Sequence, residues 1–158
     1  MNSYEIAAGV KPSERQIDWQ KTEFYGFINF GLATVVNSEW TDGNISPLNF
    51  SPDEFSAEEW VSFFKAAGFK GMVLNVKHHD GFCLWYSEHT RYSVESSLDW
   101  ETENRDIVGM LSEECAKQRL KFGIAISPLD RNAECFGSGE DYNNYFKSLL
   151  REVLTKYG

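Results

Sequence analysis

The sequence predicts an α/β protein built on a parallel sheet, and three observations predict it. Short apolar runs alternate three times with segments of helical periodicity, the pattern of successive βα units. The helix-to-strand turns are tight, as in Gly68-Phe69-Lys70 and Gln118-Arg119-Leu120-Lys121. The strand-to-helix connections are long: residues 29–55, 78–103 and 128–137 exceed the usual span of about two to six residues. Long loops after the strands gather function at one end of the sheet, because ligands in such folds collect beyond the carboxyl ends of the strands.

Residues 1–22 read as a lead-in segment. The aromatic run EFYGFINFG, residues 23–31, reads as the first strand. A helix over residues 56–68 follows, with Ser56 and Glu59 at capping-box spacing and Gly68 at the C-terminal stop. Its Trp60, Phe63 and Phe64 recur at helical spacing and mark the core face. GMVLNVK, residues 71–77, is apolar and β-branched, the signature of a strand covered on both faces. The next helix spans residues 104–120, with Ile107, Met110 and Leu111 on one face. KFGIAIS, residues 121–127, reads as the third strand. The last helix spans residues 138–158 and aligns Tyr142, Tyr145, Phe146, Leu149, Leu150, Val153 and Leu154. Crossovers are expected to be right-handed.

Composition excludes some partners. A net charge of −9 argues against nucleic acid and against anionic membrane surfaces, both of which need a basic footprint. The N-terminal MNSYEIAAGVKPSERQ has no apolar stretch behind a basic start, so no secretory signal is expected, and no run reaches transmembrane length. Cys83, Cys115 and Cys135 fit no zinc spacing and read as reduced thiols, mostly buried. A cytoplasmic location is the expectation. Aromatics at 15% first suggest core packing, though rings also stack on the C–H faces of sugars.

The densest chemistry lies in KHHDGFCLW, residues 77–85, at the end of the second strand. Adjacent strands lie about 4.8 Å apart, so Asn29, His78, His79 and Ser127 converge at one end of the sheet. Glu39-Trp40 joins from the first loop, Asp80, Trp85 and Tyr86 from the second, and Asp130-Arg131 from the third. Several readings stand side by side. His-His-Asp supplies metal-ligand types, but neighbours on an extended segment point to opposite sides, whereas chelation favours i, i+2 or i, i+4 pairs. A Ser/His/Asp triad lacks a nucleophile elbow, and Ser127 precedes a proline. The histidines could simply satisfy loop backbone, Glu39 could be a solvated acid and Trp40 plain packing. A polyol pocket uses all of them: imidazoles, a carboxylate and an indole grip hydroxyls well.

These residues also carry a resemblance. KHHDGFCLW followed by SEHTRYSV resembles the second βα loop of the α-L-fucosidases, glycoside hydrolase family 29. FINFG followed by SEW is similar to that family's first strand and its Glu-Trp pair, and RDIV fits the opening of the second helix. LKFGIAISPLDRN resembles the third strand, especially in the α-1,3/1,4 branch. The resemblance implies that residues 1–158 form part of a catalytic domain, the first three βα units of a (β/α)8 TIM-type barrel, left incomplete. It implies hydrolysis of terminal α-L-fucose by a retaining mechanism, with fucosylated oligosaccharides or glycoconjugates as partners and with no cofactor or metal. By similarity His78, His79, Glu39, Trp40 and Asn29 would bind the sugar, with Trp85 as a pocket wall. Asn29 stands where the family usually has histidine, and Ala125-Ile126 where it is often aromatic. The nucleophile and acid/base of the family are expected beyond Gly158, so the chain alone is expected to be inactive and to self-associate or pair with the remaining barrel. The alternative is a non-catalytic fucose-binding fragment or pseudoenzyme. Asp130 and Arg131 are expected to form a local ion pair.

Overall fold

Three parallel strands, β1 (Tyr25–Ile28), β2 (Gly71–Lys77) and β3 (Lys121–Ile126), form an open sheet in the order β1-β2-β3. The structure is a computed structural model that describes residues 2–52, 54–97 and 106–158. The helices are α1 (Ser3–Ala8), α2 (Glu14–Gln20), α3 (Leu32–Val35), α4 (Ala57–Ala66), α5 (Ile107–Gln118) and α6 (Glu140–Tyr157).

The register pairs Gly26 with Met72 and Met72 with Phe122, so alternate residues share a face. Met72, Leu74 and Val76 are buried in one core with Val61 of α4 and Val108 and Leu111 of α5. Gly26 is required there, because a side chain would collide with the Phe64 ring of α4. The other face carries Phe27, Val73, Asn75, Gly123 and Ala125. It stays partly open: Phe27 is 54% exposed and Val73 only half-buried. The expectation of a second strand covered on both faces therefore holds for one face only.

Helix ends follow their caps. Ser56 Oγ accepts from the Glu59 N–H at 3.2 Å and opens α4. Asp106 caps α5 by accepting from Gly109 N–H at 2.9 Å. The predicted start of this helix at residue 104 lies outside the described residues. Within α4 the buried positions are Ala57 and Val61, with Trp60 and Phe64 partly buried, whereas Phe63 is 68% exposed. Phe63 is thus a correction: helical spacing placed it at the margin of the apolar stripe, and the margin faces outward. The first strand is also shorter than its aromatic run, because Glu23 adopts a left-handed φ of 53° just before it.

The lead-in contains structure that the composition hid. Ser13 and Gln16 form a reciprocal capping box for α2 at 3.4 and 2.7 Å. Lys121 at the foot of β3 then donates to Thr22 Oγ1 at 3.0 Å and to the Asp18 carbonyl at 3.3 Å, tying this segment to the sheet. Cys83 and Cys115 are buried free thiols and Cys135 is half-buried.

Candidate functional site

β2 ends at Lys77, and the chain turns at once. Gly81 N–H donates to the His78 carbonyl at 3.2 Å, with Gly81 at a φ of 92°. The turn removes the period-two alternation expected for His78 and His79. Their rings instead lie 4.2 Å apart, and both meet Trp40. Trp40 stacks on His79 at 4.6 Å with an interplanar angle of 6°, and sits tilted against His78 at 5.8 Å.

His79 is held from below. Its Nδ1 lies 2.8 Å from Ser127 Oγ at the end of β3. Ser127 Oγ also accepts from the Leu129 N–H at 3.1 Å. Ser127 can donate to His79 Nδ1 or accept from it, according to the tautomer of the ring. Burial pushes the His79 pKa below its ordinary value, and the neighbouring His78 pushes the same way. The ring is neutral at pH 7.

The rim is stitched from all three loops. Thr41 Oγ1 donates to Asp80 Oδ2 at 3.0 Å, and Phe82 N–H donates to Asp80 Oδ1 at 3.0 Å. Arg131 Nη1 donates to the Thr41 carbonyl at 3.2 Å, and its backbone N–H to the His79 carbonyl at 2.9 Å. Asn132 Nδ2 donates to the Gly43 carbonyl at 2.9 Å. Asp130 does not pair with Arg131. Its partner is Lys77, at 3.0 Å, with both side chains essentially inaccessible. Lys77 Nζ also donates to the Leu129 carbonyl at 3.1 Å. Asp130 Oδ1 accepts from Asn132 and Ala133 N–H at 3.1 and 2.8 Å. Such pairs need this extra bonding to offset desolvation.

The result is a cavity of about 420 Å3 lined by Asn29, Phe30, the α3 segment, Glu39, Trp40, His78, His79 and Asp80. That volume suits a small molecule. Asn29, Glu39 and Trp40 are exposed, and the Asn29 side chain meets the Asn75 amide at 3.0 Å. Five of the six predicted binding residues thus come together: Asn29, Glu39, Trp40, His78 and His79. Trp85 does not. It is fully buried, and its indole N–H donates to Glu152 Oε2 of α6 at 2.9 Å. Glu152 also accepts from Ser87 Oγ and Glu88 N–H, each at 2.8 Å, and from Lys156 at 3.1 Å. Burial alone would raise the Glu152 pKa, but these donors hold it below the usual range. Trp85 therefore anchors the second loop to α6. The His-His-Asp run does not converge either, since Asp80 is committed to Thr41 and Phe82. Among the described residues no cluster of three or more His, Cys, Asp or Glu side chains is placed to hold a metal ion. Asn75, Thr41 and Ser127 complete the site's support. The signal for Asn75 was present as a lone amide in an apolar strand.

The family model described as Alpha-L-fucosidase matches residues 10–158. Alpha-L-fucosidase 1 of Arabidopsis thaliana is 41% identical over 147 residues, covering 93% of this chain and 29% of the relative. A crystal structure of a glycoside hydrolase 29 family member from an unknown rumen bacterium superposes with a TM-score of 0.87 at 41% identity, covering 93% of this chain and 26% of that one. A Ruminococcus gnavus family 29 fucosidase in complex with fucose gives 0.84 at 34% identity, covering 94% and 34%. The chain therefore spans under a third of the length of these curated relatives. Because the match runs through all three strands and through the loops that carry Trp40, His78 and His79, the chain belongs to the α-L-fucosidase family.

Proposed function

We propose that this chain supplies the sugar-gripping part of an α-L-fucosidase, as the first three βα units of a (β/α)8 barrel, and that it binds the fucose of fucosylated glycans without cutting it. The observation that carries this reading is the cavity where Trp40 stacks on a neutral His79 beside His78. Imidazole nitrogens can hydrogen-bond hydroxyls, and Glu39 and Asn29 add polar groups on the neighbouring wall.

A retaining glycosidase needs two carboxyl groups about 5–5.5 Å apart, one as nucleophile and one as acid/base. Of the two acids lining the cavity, Asp80 is spent on Thr41 and Phe82. Among the described residues, Glu39 is left without a second free carboxylate in the lining. Cleavage in this reading draws on carboxylates outside these residues, brought in by a remainder of the barrel seated against the half-open sheet face. Contacts from His78, His79 and Trp40 that tighten as the sugar ring flattens would then contribute to rate. Incubation of the 158-residue chain with an aryl α-L-fucoside tests the division. The expected result is saturable binding and no turnover above background. Turnover that survives repeated purification would contradict it.

A further inference from the structure

Asn75 lies where β2 and β3 lose register. Asn75 pairs with Ala125 and Lys77 with Ile126, so Val76 is a bulged extra residue. The Asn75 amide spans this bulge, with the Lys77 carbonyl oxygen at 2.9 Å and the Ala125 carbonyl oxygen at 3.2 Å. Its remaining neighbour is the Asn29 amide at 3.0 Å, where the atom placed as Oδ1 faces Asn75, so the two amides must be oriented together. The orientation of an amide follows from its partners. Two carbonyl oxygens can be met only by an NH2 group, so the Asn75 nitrogen takes that side and its oxygen turns to Asn29. The Asn29 NH2 must then face that oxygen. With the pair so oriented, the other end of the Asn29 amide is Oδ1, an acceptor, on a residue that lines the cavity.

We propose that Asn75 is a positioning residue that locks the Asn29 amide with its oxygen toward the cavity, so that Asn29 reads a sugar hydroxyl as a hydrogen-bond donor. The proposal rests on the reading of the cavity as a fucose pocket and deepens it. Reversing the Asn29 amide would set two oxygens against each other at 3.0 Å, so the lock has a sign. A hydroxyl that must donate is lost equally when replaced by hydrogen or by fluorine, because neither can donate. A hydroxyl that only accepts would be partly replaced by fluorine.

Two readouts separate the lock from the sugar. The first needs no ligand. In the isotope-labelled chain, the side-chain NH2 protons of Asn75 should exchange with solvent about tenfold or more slowly than those of exposed Asn143, because both are hydrogen-bonded. Exchange at the rate of Asn143 would overturn the lock. The second titrates L-fucose and its monodeoxy and monofluoro analogues. At one ring position both analogues should bind about tenfold more weakly than fucose, the loss of one hydrogen bond. In Asn75→Ala the freed Asn29 amide can turn its NH2 outward, and the fluoro analogue should then bind better than the deoxy analogue. A uniform weakening of all ligands, with the fluoro-to-deoxy ratio unchanged, would mean a merely structural role and overturn the proposal. Absence of any fucose binding would overturn the pocket reading beneath it, and the exchange rates would still judge the lock separately.

Discussion

His79 concentrates the chemistry of the site in one side chain. Ser127 holds its Nδ1, Trp40 covers its face, and burial favours its neutral form. These facts set a pH dependence. The folded-state pKa lies below 6.5, so the folded protein binds the proton more weakly than the unfolded chain. Above the unfolded-state value both states are neutral and nothing is lost. As pH falls through 6.5 the unfolded chain takes up the proton first, so stability declines until the folded ring titrates as well. Thermal melts between about pH 8 and pH 5 should therefore fall more steeply for the parent than for His79→Gln. Identical slopes would contradict the assignment. Trp85 shows the opposite case. In sequence it stands beside the histidine motif exactly as a pocket wall would stand, and nothing local reveals that its partner, Glu152, arrives 67 residues later on α6.

The elements explain why the site is rigid. β2 runs into a bulge at Val76, spanned by its own Asn75 amide, then into the turn at Gly81, where the Asp130 carboxylate of the third loop lies close. A side chain at Gly81 would collide with the Asp130 carboxylate, and Asp130 in turn neutralises Lys77 at the end of β2. Asp130→Ala leaves the Lys77 charge buried without its partner, and the expected cost is about 3–5 kcal/mol in urea unfolding. A loss under about 1 kcal/mol would show that the pair does not hold the loops. The elements were also the legible part of the sequence. β2, β3, α4 and α6 announce themselves by apolar period and caps, and Asp80-Gly81 is a turn signal that explains why His78 and His79 meet. The one-turn α3 and the Ser13–Gln16 box were less visible, since a helix of four residues has no period to read. The rim bonds from Thr41, Gly43 and Arg131 join segments about 90 residues apart, as with the Arg131–Thr41 pair, and no local pattern encodes them.

As a whole the molecule divides into a helix-covered core and a working end, with a sheet face left partly open beside them. The core holds the strand ends in place, and the strand ends hold a cavity that shows no free acid pair among the described residues. The fold class was readable because three βα repeats leave few topologies to choose from. The extent of sheet coverage was not, because Val73 makes the apolar run of β2 continuous although its face is only half-buried. Whether the cavity takes fucose decides the account most directly. The imidazole Cε1–H signals of His78 and His79 should be followed by NMR while L-fucose is added to millimolar excess, in the parent and in Trp40→Ala. The account predicts that both signals move in a saturable way in the parent, and that Trp40→Ala weakens the effect about tenfold or more, by loss of the stacking surface. Signals that stay fixed in the parent, or that move equally in Trp40→Ala, would contradict it.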